Sequence, residues 1–197
     1  MSKGIDVNQS VIGHLHALQA AGISWIGRYY GRSKQQPLSK EEAQAISSLG
    51  LYVVSIWESG YPTKVEYFSS YQGSKDGADA YHAAAQAGQP GGSVIYFTVD
   101  YDAAPADLRA IEAYFRAVRL SVRPGYFVGV YGSGRVLKHL LSLGLVSHSW
   151  LADPRRWAEY DSTSHFNIRQ VKNGVSLCGL EVDMDESDGS AGGWQVK

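Results

Sequence analysis

Apolar positions along the chain switch between two periods, and the switches mark out its elements. Short runs rich in β-branched and aromatic residues, bounded by Gly, Pro or Ser, predict strands over 4–7, 25–30, 51–57, 93–102 and 125–131. Between them, apolar residues recur at helical spacing. Val11, Leu15 and Leu18 follow Ser10 and stop at Gly22; Ala43, Ile46 and Leu49 follow the capping box Ser39-Lys40-Glu41-Glu42 and stop at Gly50. An alanine-rich helix follows a loop over 59–74 and closes at Gly88. Pro105 opens a helix carrying Leu108, Ile111, Phe115 and Val118, and Ser133 caps another with Val136, Leu137, Leu140 and Leu143, ended by Gly144. Beyond it the rhythm changes. Runs at 149–152, 166–171 and 180–184 read as strands, with no long helix between them, and 153–164 holds at most a turn or two around Trp157 and Tyr160.

Strands and helices that alternate through short connections imply a parallel sheet, and eight strands suggest that it closes. The expected fold is α/β: a single-domain TIM-like β/α barrel of eight strands, with crossover helices after the first five. An open doubly wound sheet is the alternative, which strand count alone does not remove. The barrel is expected over residues 1–186, and 187–197 as a C-terminal tail, either loose or a surface strap. The 197 residues contain no internal repeat or linker that would divide them.

The run Ser93–Asp102 carries the first hint of chemistry. Strand side chains alternate, so Ile95, Phe97 and Val99 form one face while Tyr96, Thr98, Asp100 and Asp102 form the other. Two carboxylates are thus expected on one side of a strand's C-terminal end, where β/α barrels place their sites, and close enough for one to raise the other's pKa. Acids recur at other strand ends: Asp6 on the first, Glu58 after the third, Asp183 on the last. In a closed barrel the first and last strands are neighbours, which would set Asp6 beside Asp183. Parity leaves Glu58 open, since Ser55 and Trp57 could be the inward pair. Tyr30, Trp57, Tyr131 and Trp150 are expected around this mouth, with Arg28 either a charge partner of the acids or a surface arginine.

Composition removes several classes of function. A formal charge of −1 without a basic block gives no footprint for nucleic acid. No apolar run approaches the length needed to span a bilayer, so membrane insertion is not expected. The lone Cys178 forms no internal disulfide. His14 and His16 stand two apart on a helix and face different directions, and the other histidines are scattered. No metal and no cofactor are therefore expected, and a barrel phosphodiesterase is disfavoured. The acids at 183, 185, 186 and 188 lack calcium-loop spacing and read as a solvated acidic loop. Dinucleotide, Walker and nucleophile-elbow motifs are absent. The N-terminus shows no signal-peptide pattern, so synthesis in the cytoplasm is expected, with action on a cell wall after release or delivery. A monomer is expected.

Gly4-Ile5-Asp6-Val7, the run from Trp25 to Tyr30, Trp57-Glu58, the run from Tyr96 to Asp102, Gly129-Val130-Tyr131 and Val182-Asp183 together resemble a glycoside-hydrolase-like domain family formerly of unknown function. That family is similar in layout to the muramidases of glycoside hydrolase family 25. The resemblance covers about Ser2 to Asp185 and implies a barrel with five crossover helices and three plain final strands. In the muramidases the fourth strand ends in Asp-x-Glu, whose Glu is the general acid; here the pair is Asp100-Tyr101-Asp102, one methylene shorter. The expected function is a glycosidase cleaving bacterial peptidoglycan or a related wall glycan, as in a phage endolysin or a delivered lytic effector. Asp102 is the first candidate for general acid and Glu58 the second. Asp100 is expected as nucleophile or as the group orienting a substrate acetamido, with Asp6 and Asp183 completing the acidic floor. Tyr30, Trp57, Tyr131, Trp150 and Arg28 are expected to contact sugar. A non-catalytic glycan-binding module on the same barrel is the alternative.

Overall fold

The computed structural model describes residues 1–31, 36–161 and 165–196. Among these, eight strands close into a barrel in chain order: β1 (Ser2–Val7), β2 (Ile23–Tyr29), β3 (Tyr52–Trp57), β4 (Val94–Thr98), β5 (Phe127–Gly132), β6 (His148–Leu151), β7 (Ile168–Leu177) and β8 (Leu180–Ser187). Helices α1 (Leu15–Ala20), α2 (Lys40–Ser48), α3 (Ser70–Gln86), α4 (Leu108–Val122) and α5 (Gly134–Ser142) follow the first five strands. The connection over 153–164 is described only as far as Asp161. The fold is the expected TIM-like barrel.

One departure matters for the site. β1 to β7 run parallel, but β8 is antiparallel to both β7 and β1. No helix carries the chain back across the barrel after β7. Instead Cys178 and Gly179 adopt φ of 52° and 82°, the two positive values of a tight hairpin turn. The mouth of the barrel therefore meets the first half of β8, and later residues of that strand run down into the interior.

The interior is filled by large rings set against glycines. Trp150 lies at its centre, edge-to-face with Trp25, Tyr96 and Tyr131 at centroid distances of 5.8, 5.4 and 5.9 Å. Gly4, Gly27 and Gly129 face these rings. A Cβ on Gly4 would come within 2.1 Å of the Trp25 ring, and one on Gly129 within 2.6 Å of Tyr96. A glycine inside a strand costs stability, and here it leaves space for an aromatic ring.

The helical layer uses the same device. α3 begins at Ser70, earlier than the loop expected over 59–74, because Ser69 accepts the Gln72 N–H and caps it. Its polar first turns look like a loop, yet Gly73 and Gly77 press onto α4, where a Cβ on Gly73 would meet the Tyr114 carbonyl at 2.3 Å. At the other end of the barrel the C-terminal segment crosses the bottom. Trp194 exchanges backbone hydrogen bonds with Val53, and the Tyr96 hydroxyl donates to the Ala191 carbonyl at 3.0 Å. None of the described helices is long and apolar enough to cross a membrane.

Candidate active site

The register of the barrel decides which acids meet. Asp6 pairs with Asp183 across β1 and β8, and Gly4 with Asp185. All three carboxyls point inward, with Asp183 nearest the mouth and Asp185 a layer below. Tyr29, on the inward parity of β2, donates its hydroxyl proton to Asp6 Oδ1 at 2.7 Å. Gln170 of β7 spans the pair, donating from Nε2 to Asp6 Oδ2 at 3.2 Å and to Asp183 Oδ2 at 3.1 Å. Its own Oε1 is held by the Tyr131 hydroxyl at 3.0 Å and by the Asp153 N–H at 3.2 Å. A bulge in β7 brings the Gly174 N–H to Asp183 Oδ1 at 2.8 Å. Above this floor opens a cleft of about 400 Å³, lined by Asp6, Tyr29 and Asp183 with residues of the β1 end and the β8 start.

Burial raises all three carboxyl pKa values. Asp6 is pushed from 3.8 to about 7, first by desolvation and then by the Asp183 charge, against the opposing hydrogen bonds from Tyr29, Gln170 and Asp185. Desolvation also raises Asp183, and it drives Asp185 well above the usual range with the Asp6 charge behind it. The sign of the resulting stability effect follows from proton binding. The unfolded chain releases the Asp6 proton near 3.8 and the folded chain near 7, so this contribution is complete below 3.8 and is lost as pH rises through about 7. The urea midpoint is expected to fall between pH 5 and pH 8, and Asp6→Asn to flatten that slope; an unchanged slope in the variant would remove Asp6 from the account.

The acids after β3 and β4 form the rim. In β3 the inward residues are Val54 and Ile56, packed in the barrel interior, and Glu58 continues their parity at the mouth. β4 ends at Thr98, so alternation does not carry through to Asp102 as the sequence suggested. The Asp100 N–H donates to the Pro62 carbonyl at 2.9 Å, tying the two rim loops together. Asp102 is exposed, and its Oδ1 accepts the Ala158 N–H at 2.8 Å. The two carboxyls that the barrel buries side by side are Asp6 and Asp185, on facing strands β1 and β8.

Several expected sugar contacts lie elsewhere. Arg28 is 0% exposed, on the outward face of β2. There it donates from Nε and Nη2 to the two Glu42 oxygens at 2.8 and 3.0 Å, from Nη1 to the Val7 carbonyl and from Nη2 to the Gln36 carbonyl, both at 2.8 Å. It is neither a partner of the acidic floor nor a surface arginine. Tyr30 and Trp57 also point outward, into a side groove between α2 and α3, and Tyr30 donates to Gln89 Oε1 at 2.8 Å. Trp150 points inward but is buried beneath the mouth, donating Nε1 to Asp185 Oδ1 at 3.0 Å. Tyr131 alone of the four named aromatics stands at the mouth. Asp185, read as part of a solvated loop, is 1% exposed inside the barrel.

Tyr29, Gln170 and Asp185 were not singled out, nor was Tyr61, which stands 79% exposed on the rim loop beside Pro62. For Tyr29 and Asp185 the signal is parity: Trp25, Gly27 and Tyr29 share one face, as do Asp183 and Asp185. Among the described residues, no group of three or more His, Cys, Asp or Glu is arranged to hold a metal ion.

The class to which this barrel belongs is that of the glycoside-hydrolase-like domains. The chain belongs to the family described as Rv2525c-like, glycoside hydrolase-like domain, whose sequence model matches residues 16–191. The uncharacterized protein FadG of Bacillus subtilis (strain 168) is 29% identical over 206 residues, which cover 93% of this chain and 34% of FadG. The chain thus spans about a third of that relative's length. Among solved structures, the Tat-secreted protein Rv2525c of Mycobacterium tuberculosis, in complex with L-tartrate, superposes with a TM-score of 0.86 at 21% identity, covering 98% of each chain. The bacterial lysozyme of Streptomyces coelicolor superposes with a TM-score of 0.60 at 14% identity, over 96% of this chain and 93% of the lysozyme. At these identities the likeness is one of fold.

Proposed function

We propose that the chain is a glycosidase that cleaves bacterial peptidoglycan in the manner of a muramidase. The observation that carries this reading is the floor of the mouth. There, Asp6, with its pKa near 7, and Asp183 share one cleft under a rim bearing Glu58, Asp100 and Asp102. Glycoside hydrolysis needs one acid to protonate the departing oxygen and a second group to stabilise or attack the anomeric carbon. The C–O bond breaks as the glycosidic oxygen takes the proton, and water completes the cut at the anomeric carbon. Asp102 is the first candidate for the proton donor, because it holds the acid's place in the muramidase-like motif. Glu58 is the second, because it follows the inward parity of β3. Asp100 is then nucleophile or acetamido-orienting group, while Asp6 and Asp183 bind and polarise the sugar from below. Tyr131 and the exposed ring of Tyr61 offer apolar faces for sugar. The substrate would be met in the wall after release or delivery, by a monomer.

One observation favours a second reading, a glycan-binding module. Asp102 is exposed, and its Oδ1 is already engaged by the Ala158 N–H, which ties its carboxyl to the loop after β6. Incubation with purified peptidoglycan and mass analysis of the soluble products separates the two. Fragments ending in a reducing muramic acid residue are expected. Tight sedimentation with the wall but no released fragment would install the binding module instead.

A further inference from the structure

The barrel interior contains a carboxyl that the proposed chemistry does not use. Asp185 lies below Asp6, buried in the barrel interior beside Trp150. Trp150 Nε1–H donates to its Oδ1 at 3.0 Å, while Oδ2 is buried and receives no hydrogen bond from a described group. Across the β1–β8 pair Asp185 stands diagonal to Asp6, one inward position lower, so the two buried carboxyls face the same interior and act on each other. Two ionised carboxylates have four acceptor oxygens between them and no proton to share, so facing each other in a water-poor barrel they repel. One proton placed on Asp185 Oδ2 and directed at Asp6 resolves both the repulsion and the unpartnered atom.

We infer that Asp185 is a positioning residue: a permanently neutral carboxylic acid that donates its proton to Asp6 and fixes that carboxylate under the cleft. The other titratable groups facing it are Asp183 on its own strand and Tyr131 on β5, and neither competes for this role. Asp183 has its own donors, the Gly174 N–H and Gln170, and the Tyr131 hydroxyl is spent on Gln170. Asp6 then receives hydrogen bonds from three sides, from Tyr29, Gln170 and Asp185. Its burial keeps its pKa high, and the Asp185 proton keeps it from rising further. The device resembles a buried acid held neutral so that it can act as a donor.

The effect on catalysis rests on the glycosidase reading; the location of the proton does not, and the test keeps them apart. Side-chain carboxyl carbons of Asp6 and Asp185 are followed by NMR from pH 4 to pH 9 in the parent, in Asp185→Asn and in Asp185→Leu. In the parent, the Asp185 carbon is expected to stay at its protonated shift through pH 7. Asparagine reproduces the neutral acid, its amide oxygen accepting from Trp150 and its amide N–H donating to Asp6. The Asp6 midpoint in Asp185→Asn should therefore stay within about half a pH unit of the parent. Leucine removes the donor, so the Asp6 midpoint should rise. An ionised Asp185 signal at pH 7 would overturn the inference. So would an Asp6 midpoint that falls by a unit or more in Asp185→Asn, the mark of a removed buried charge. If the parent releases wall fragments, Asp185→Asn should keep its rate within a few-fold and Asp185→Leu should lose more than tenfold. A parent without activity would sink the glycosidase and leave the titrations to decide on Asp185.

Discussion

Replacing Asp102 with Asn should slow release of wall fragments by about a hundredfold to ten-thousandfold, the range that general acid catalysis supplies. The substitution is informative because it changes little else. The amide oxygen can still accept the Ala158 N–H that Asp102 holds at 2.8 Å, so the loop after β6 keeps its anchor and only the transferable proton is lost. Glycan binding, measured by sedimentation with intact wall, should persist. Glu58→Gln should cost much less. The reverse outcome, a dead Glu58→Gln beside an Asp102→Asn protein that still cuts, would transfer the acid role to Glu58 on the inward parity of β3. If both variants cut like the parent, neither rim acid supplies the proton and the floor acid Asp6 inherits the role. Asp102→Glu restores the residue of the muramidase motif, but its longer arm must shift relative to the Ala158 N–H. Its activity therefore tests reach as well as acidity.

The order of strands and helices was legible because each element shows its own period: β-branched runs between breakers, apolar stripes between caps and glycines. The acidic floor was legible in part for the same reason. Asp6 and Asp183 sit on the first and last strands, which closure makes neighbours, while their register depends on the reversed direction of β8. What a single strand does not reveal is its phase relative to its neighbours. Trp57 or Ile56, Tyr30 or Tyr29, could each have faced the mouth, and only the register of Asp6 with Gly27 and of Gly27 with Val54 decides between them. The glycines held an unused clue. Gly4, Gly27 and Gly129 lie where a strand would ordinarily carry a branched side chain, and each faces a ring inside the barrel, so their parity marks the inward side. Direction was lost at the last hairpin. Without the reversal at Cys178-Gly179, Asp185 reads as a residue beyond the mouth rather than beneath it. The side-chain bonds of Gln170 depend on a bulge and on three other strands, and no local pattern announces them.

Arg28→Ala should destabilise the protein by about 3–5 kcal/mol, the usual consequence of removing one partner from a buried ion pair. Arg28 and Glu42 are both almost wholly inaccessible, and the guanidinium fork bonds both carboxylate oxygens while Glu42 Oε1 also accepts the Val11 N–H at 2.9 Å. Without Arg28, a carboxylate remains between the barrel and α2 with the Val11 N–H as its backbone donor among the described residues, and the carbonyls of Val7 and Gln36 lose the guanidinium as well. The effect should appear as a lower urea midpoint with an unchanged slope, and as a fall in Tm of roughly 10 °C or more for a chain of this size. Arg28→Lys should recover only part of the loss, since an ammonium cannot reproduce the planar fork. Pairing Arg28→Met with Glu42→Gln should recover more than Arg28→Lys does, because it removes the buried charge while leaving an acceptor for Val11. A loss below about 1 kcal/mol in Arg28→Ala would mean that water reaches Glu42 and that the pair is not the anchor its geometry suggests. The same variant also settles what Arg28 does for the mouth. Below its melting transition, fragment release per folded molecule should match the parent, because the arginine lies on the opposite face of β2 from Tyr29 and Asp6. A folded Arg28→Ala protein that had lost glycan turnover would return Arg28 to the substrate side of the barrel.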